Sequence, residues 1–311
     1  MNFLCFGRPM TDIFFSHPDF DFLPFEWKAN SVEHVDEEKM ASILETLKDE
    51  AEDFSLWDCA CPGGNSLNTA SALTHYGHKA FFYGSAGDDA FGDFVDEKRR
   101  ERGIFGRINR LSGKKSGVFL VLQKNDETMV FASPGAARDF VFSDFTRDFP
   151  EKWDCAMVEG TLLFRPEEFF NIDDFVFANK EFLAIDGTSP WFSKILGENF
   201  HRIKSQKIVF LNEWEWKSFT ENVGRSLKEL TAEDETIFVK KMGENGAAVY
   251  QGSRTFTSRG RKIPVANDVG AGDFFQGAFL HHYLTEGDIE AALNFSVEET
   301  ASFLEKRLNH G

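Results

Sequence analysis

Short apolar runs recur along this chain, each followed by a polar residue and then by a helical or polar stretch. Phe3 to Phe6, Lys79 to Tyr83, Cys155 to Val158, Phe182 to Ile185, Ile208 to Leu211 and Ile237 to Val239 read this way. Brief runs without alternation describe strands buried on both faces. Helical spacing fills the gaps. Asp36 can cap a helix carrying Met40, Ile43, Leu44 and Leu47. Further helices are predicted over Ser66 to Tyr76, from about Phe91 to Arg102, and over Phe275 to Leu280. Buried strands alternating with helices predict an α/β fold, a mainly parallel sheet covered on both faces in a Rossmann-like three-layer α/β/α sandwich. Two segments break the rhythm. Gly117 to Leu122 and Glu127 to Phe131 read as paired strands around Lys124-Asn125-Asp126. Ile13 to Trp27, aromatic and interrupted by Pro18 and Pro24, reads as an edge hairpin or covering flap.

In a parallel sheet, ligands gather beyond the C-terminal ends of the strands. The polar residues found there are Asp12 after the first run, Glu159 after Val158, Asn212 and Glu215 after Leu211, and Lys241 with Gly243 and Gly246 after Val239. Gly63-Gly64 opens the helix whose first turn carries Asn68. Each position alone reads equally well as a solvated strand end, a helix cap or a turn.

The most informative stretch is Asn267-Asp268-Val269-Gly270-Ala271-Gly272-Asp273-Phe274-Phe275. A glycine-rich turn that opens a helix aims free N–H groups and the positive dipole end at one point, which suits phosphate. Asp273 then stands beside that point as a carboxylate able to take a proton from a hydroxyl. An anion hole plus a base is the minimal equipment for phosphoryl transfer to an alcohol. The bland alternative is a helix start that merely needs flexible residues. No G-x-x-x-x-G-K-[ST] loop occurs, and Phe275 stands where a dinucleotide fingerprint needs its third glycine.

Composition narrows the partners. A net charge of −17 disfavours nucleic acid and anionic membranes, which need basic patches. The N-terminus has no basic start or long apolar stretch, and no window approaches a membrane span, so a cytoplasmic protein is expected. Cys59-Ala60-Cys61, without a second pair or a nearby histidine, makes a poor zinc site; reduced structural thiols are expected. The 36 phenylalanines against 4 tyrosines read as core filling. At 311 residues, with no linker or repeat, a single domain over 1–311 is expected.

Taken in order, these motifs resemble the ribokinase-like (PfkB-type) carbohydrate and nucleoside kinases over nearly the full length. Asn267 to Phe275 looks like the signature D-T-x-G-A-G-D-x-F, Gly63 to Asn68 like G-G-x-x-x-N, Asn212 to Glu215 like N-x-x-E, and Gly84 to Gly92 like G-x-x-G-D-D-x-x-G. The resemblance implies transfer of the γ-phosphate of ATP, with Mg²⁺, to a hydroxyl of a small sugar. A nucleoside acceptor, or a kinase-like binding protein with little turnover, remains an alternative. It implies Asp273 as general base and Gly270, Ala271 and Gly272 as phosphate-binding N–H groups. Asp12, Gly63, Gly64, Asn68 and Glu159 would bind the acceptor; Asn212, Lys241, Gly243 and Gly246 the nucleotide; Glu215 the metal. The family's D-T is Asn267-Asp268 here, so Asp268 is expected to take over the metal role. The resemblance also implies a β-lid, roughly 13–35 and 112–135, and allows a homodimer through it. The insert between Asp12 and Gly63, with Pro62 to Ala70, is similar to the adenosine-kinase-like branch.

Overall fold

The computed structural model describes residues 1–233, 236–264 and 268–308. Its strands, in chain order, are β1 (Asn2–Phe6), β2 (Met10–Ser16), β3 (Ser31–His34), β4 (Ala60–Gly63), β5 (Lys79–Gly87), β6 (Phe105–Leu111) and β7 (Gly117–Lys124). β8 (Glu127–Ser133), β9 (Cys155–Glu159), β10 (Phe182–Asp186), β11 (Lys207–Asn212), β12 (Ile237–Lys241), β13 (Ala247–Gln251) and β14 (Arg254–Ser258) follow. The α-helices are α1 (Glu37–Glu50), α2 (Asn65–His75), α3 (Ala90–Glu101), α4 (Pro166–Asn179), α5 (Pro190–Asn199), α6 (Glu213–Asn222), α7 (Leu227–Glu233), α8 (Ala271–Glu286) and α9 (Ile289–Leu308).

The main sheet runs β14-β13-β12-β11-β10-β9-β1-β5-β6 and is parallel from β12 to β6. Its strands feed two cores from alternate residues. In β1, Phe3 and Cys5 join the core under α2, α8 and α9, while Leu4 and Phe6 join the core under α4, α5, α6 and α7. The chain turns away in both directions from β1, which pairs with β5 on one side and β9 on the other. The ends of β1 and β9 therefore flank a switch point, where a parallel sheet opens a crevice.

The smaller lid sheet runs β3-β8-β7-β2-β4. Ile13 and Phe15 of β2, Leu120 and Leu122 of β7 and Phe131 of β8 pack against Met40, Ile43 and Leu47 of α1. Each fully buried side chain of this kind contributes roughly 1.5–3 kcal/mol. The α1 cap is as expected: the Asp36 carboxylate accepts from Lys39 N at 2.7 Å.

The structure departs from the sequence reading at Asp12, at Ile13 to Trp27, whose β2 part is an inner lid strand rather than an edge hairpin, and at strands β3, β4, β6, β13 and β14. Asp12 is not in a loop after the first strand but in the middle of β2, opposite Cys61 of β4 and Phe119 of β7. The segment after Gly7 thus starts the lid directly, because Thr11, Ile13 and Phe15 have buried faces to offer it. β6 and the β13–β14 hairpin were not anticipated. β6 and β14 lie at sheet edges, where polar side chains are tolerated and the apolar run that marks a buried strand is absent.

Candidate active site

Two glycine-led helix starts meet at the crevice. Gly64, at φ 107°, caps α2 in a conformation that favours glycine, and a Cβ there would strike the Arg8 carbonyl. A Cβ on Gly63 would occupy the place of the Asp12 carboxylate. The Arg8 backbone and the Asp12 side chain are therefore seated against the α2 entry, which leaves no room for a side chain at either glycine.

At the second start Gly270 is left-handed, φ 84°, and caps α8. Ala271 N donates to the Asp268 carbonyl at 3.0 Å, and Phe274 N to the Gly270 carbonyl at 2.9 Å. The Ala271 N–H implied for phosphate binding is thus consumed by the turn itself. The N–H groups of Gly270, Gly272 and Asp273 have no protein partner among the described residues.

Asp273 is buried in the first turn of α8 and accepts from Asn68 Nδ2 at 3.0 Å. Burial, and then the Asp186 carboxylate, push its carboxyl up to about 8 against the pull of Lys241 and the Asn68 bond. A carboxylate held that close to neutrality is a competent proton acceptor near physiological pH.

Behind the turn lies a charged cluster centred on Asp186. This carboxylate ends β10, is 1% exposed, and accepts from Gln276 Nε2 at 2.7 Å, Asn65 Nδ2 at 2.8 Å and Lys241 Nζ at 3.3 Å. Burial works against the Lys241 ammonium, but Asp186, Glu215 and Asp273 outweigh it and hold the ammonium above its ordinary range. A Cβ on Gly272 would stand 3.4 Å from Lys241 Nζ, so this cation sits beside the α8 start. Glu215 is pushed up to about 7 by burial, which Lys241 opposes and Asp186 reinforces. Its side chain also closes a capping box: Asn212 N and Nδ2 donate to it, both at 2.8 Å, and Asn212 Oδ1 accepts from Glu215 N at 2.9 Å.

Two cavities flank the Gly270 turn. One, about 420 Å³, is lined by Asp12, Asn68, Gly270 and Phe274 among others. The second, about 710 Å³, is lined by Asn212, Lys241, Gly243, Gly246, Asp268, Ala271 and Gly272, with Phe275, Val297, Ala301 and Leu304 on its apolar side. Asp273 lies in the wall between them, since the residues on either side of it line one or the other. Asp12 is buried, which raises its carboxyl to about 7 against Arg102.

The sequence candidates do not all reach these cavities. Glu159 is 1% exposed and accepts from Arg8 N at 2.9 Å, Ser66 N at 3.1 Å and the Thr161 hydroxyl. Its carboxylate ties the β1–β2 connection to the start of α2 and, like Asp273, Glu215, Gly63 and Gly64, is not itself in the lining of either cavity. Asp89, in the Gly84 to Gly92 segment, caps α3 through Gly92 N at 3.0 Å and takes Ser116 N at 2.9 Å. It pins the approach to the lid. Asp268 is exposed at the second cavity. Asn267 lies outside the described residues. Among the described residues, no group of three His, Cys, Asp or Glu side chains could by itself hold a metal ion. Asp268 offers one carboxylate at the second cavity, and Mg²⁺, which keeps several waters, needs only one or two when phosphates share it.

Asp186 was missed in the sequence. It directly follows the apolar run Phe182 to Ile185, the position singled out at four other strands, so the signal was present.

A lid sheet over a mainly parallel α/β/α sandwich, with a buried aspartate at a glycine-led helix start, defines the ribokinase-like phosphotransferase fold. The pfkB family of carbohydrate kinases matches residues 60–304, and the chain belongs to that family of ATP-dependent phosphotransferases. Among sequence relatives, the 5-dehydro-2-deoxygluconokinase of Listeria innocua is 24% identical over 75% of this chain and 77% of its own length. A probable sugar kinase from Rhizobium etli superposes with a TM-score of 0.81 over 98% of this chain and 93% of its own, at 19% identity. The adenosine kinase of Sinorhizobium meliloti does so with a TM-score of 0.81 over 98% and 94%, at 18% identity. Among the described residues no helix is long and apolar enough to cross a membrane.

Proposed function

We propose that the protein transfers the γ-phosphate of ATP to a hydroxyl of a polyhydroxylated small molecule held in the 420 Å³ cavity. The observation that carries this reading is the buried Asp273 in the wall between two cavities, beside helix N–H groups that have no partner among the described residues. Asp273 takes the hydroxyl proton as the oxygen attacks phosphorus, and ADP leaves on the far side. The N–H groups of Gly272 and Asp273 and the Lys241 ammonium offset charge building on the transferring group. Asp12 and Asn68 hold other acceptor hydroxyls; Asn68 spends one amide N–H on Asp273 and keeps its carbonyl and second N–H. Asn212, Gly243 and Gly246 border the nucleotide phosphates. Mg²⁺ arriving with ATP would be held by Glu215 and Asp268 and would neutralise phosphate charge. The lid sheet excludes water from the acceptor side.

Of the two acceptor classes, a nucleoside has more support than a free sugar. Phe14, Phe274 and Phe303 give the cavity flat aromatic walls suited to a base, and adenosine kinases superpose on almost the whole chain. The sugar reading rests on relatives whose names say sugar kinase.

The test is acceptor-stimulated ADP release from Mg²⁺-ATP over panels of nucleosides and sugars, with calorimetry of each ligand on Asp12→Ala and Asn68→Ala. Weakened acceptor binding with nucleotide binding retained is expected. Failure of every acceptor to stimulate ADP release rejects the reading.

A further inference from the structure

The acceptor cavity reverses the charge balance of the chain. The whole sequence has 34 Lys and Arg against 51 Asp and Glu. The cavity lining has Arg102, Lys306 and Arg307 against Asp12 and Glu299, and Glu299 already accepts from the Tyr76 hydroxyl at 3.1 Å. Arg102 caps the end of α3 under the lid and is half-buried. Its side chain makes no hydrogen bond or ion pair among the described residues. Arg307, in the last turn of α9, donates Nη1 to the Val269 carbonyl at 2.7 Å, its one hydrogen bond among the described residues, and lies over the Phe303 ring. Both arginines line this cavity. Burial and then Asp12 push the Cys61 thiol up to about 11, and the charges opposing them are Arg102 and Arg307. An arginine with a free fork, half out of water and facing a ligand cavity, is costly to keep unless an anion completes it.

We propose that this end of the cavity is an anion subsite: besides the hydroxyl that is phosphorylated, the acceptor carries a carboxylate or phosphate that Arg102 binds, with Arg307 and Lys306 at the rim. The inference rests on the phosphotransferase reading but cuts across the choice between sugar and nucleoside. Asp12 and Arg102 attract each other across the cavity, but no ion pair or hydrogen bond joins them among the described residues, so the guanidinium fork is left open to a ligand. Asp12 faces hydroxyls and Arg102 the charged end.

The test compares matched acceptors in ATP-dependent transfer: gluconate against glucitol for a carboxylate, and fructose 6-phosphate against fructose for a phosphate. The charged member of at least one pair should be preferred by roughly 10-fold or more in kcat/KM, and Arg102→Ala should collapse that ratio toward one, with Arg102→Lys between. Which pair responds identifies the anion. Equal use of charged and neutral members, or equal losses for both in Arg102→Ala, overturns the subsite and leaves the phosphotransferase reading standing. Where none of the four is phosphorylated, calorimetry with gluconate and inorganic phosphate decides. Binding abolished by Arg102→Ala keeps the subsite, and absence of binding to the wild-type protein sinks it. Failure of ADP release across the wider acceptor panels, with anion binding intact, rejects the phosphotransferase reading instead. Thermal unfolding of both variants checks that each is folded.

Discussion

Asn68 and Asp273 are 205 residues apart in the chain, yet the amide of one donates to the carboxylate of the other at 3.0 Å. The contact exists because α2 and α8 pack closely: a Cβ on Gly277 of α8 would collide with Ala72 of α2. The bond favours the ionised carboxylate, so it opposes the burial that raises Asp273. Asn68→Ala should therefore move the acid limb of the pH–rate profile to higher pH and lower turnover at pH 7 by about tenfold. An unmoved limb would detach Asn68 from the base.

Asp273→Asn keeps the shape and loses the proton acceptor. Turnover on the best acceptor should fall by about 10²–10⁴. Stability should respond to pH in a defined direction. The folded carboxyl is raised above its unfolded value, so its stabilising contribution is present below about pH 4 and is lost as pH rises through about 8. The amide does not titrate. The Tm difference between variant and wild type should shift in the variant's favour from pH 4 to pH 8, and a flat difference would contradict the buried assignment.

Asp186→Asn should move the acid limb the other way. The Asp186 charge raises both Asp273 and Glu215, so removing it eases ionisation of the base. Lys241 also loses its closest carboxylate, and KM for ATP should rise. Breaking a buried pair should cost about 3 kcal/mol of stability, at the low end because Glu215 and Asp273 remain near Lys241. Chemical denaturation and a pH series together separate these effects.

Gly63→Ala places a methyl group where the Asp12 carboxylate sits. The lid strand must shift or Asp12 must swing out, at a cost of roughly 1–3 kcal/mol. Weakened acceptor binding with a lowered Tm is the expected pair of results. A variant as stable as the wild type, with unchanged acceptor affinity, would mean that Asp12 does not need its present position.

Asp268→Ala tests the displaced carboxylate of the signature. The side chain is exposed at the 710 Å³ cavity while its carbonyl holds Ala271 N. The variant keeps that carbonyl and so keeps the turn. Half-maximal turnover should then need several-fold more Mg²⁺. An unaltered Mg²⁺ dependence would leave Glu215 as the carboxylate that matters.

The alternation of apolar runs and helical spacings determined the layered fold, because a strand buried on both faces has to be apolar at every position and a helix at every third or fourth. The glycines at 63, 64, 270 and 272 were equally legible, since backbone that turns sharply or touches a neighbour excludes side chains. Tertiary structure alone decided what the polar residues do. Asp12 became a lid residue, Glu159 became an internal tie, Asp186 emerged as the centre of the charged cluster, and Arg102 came to line the 420 Å³ cavity. The reason is physical. Apolar burial is read from spacing along one element, whereas the ionisation and partners of a carboxylate depend on which distant elements meet around it, and sequence spacing does not record that meeting.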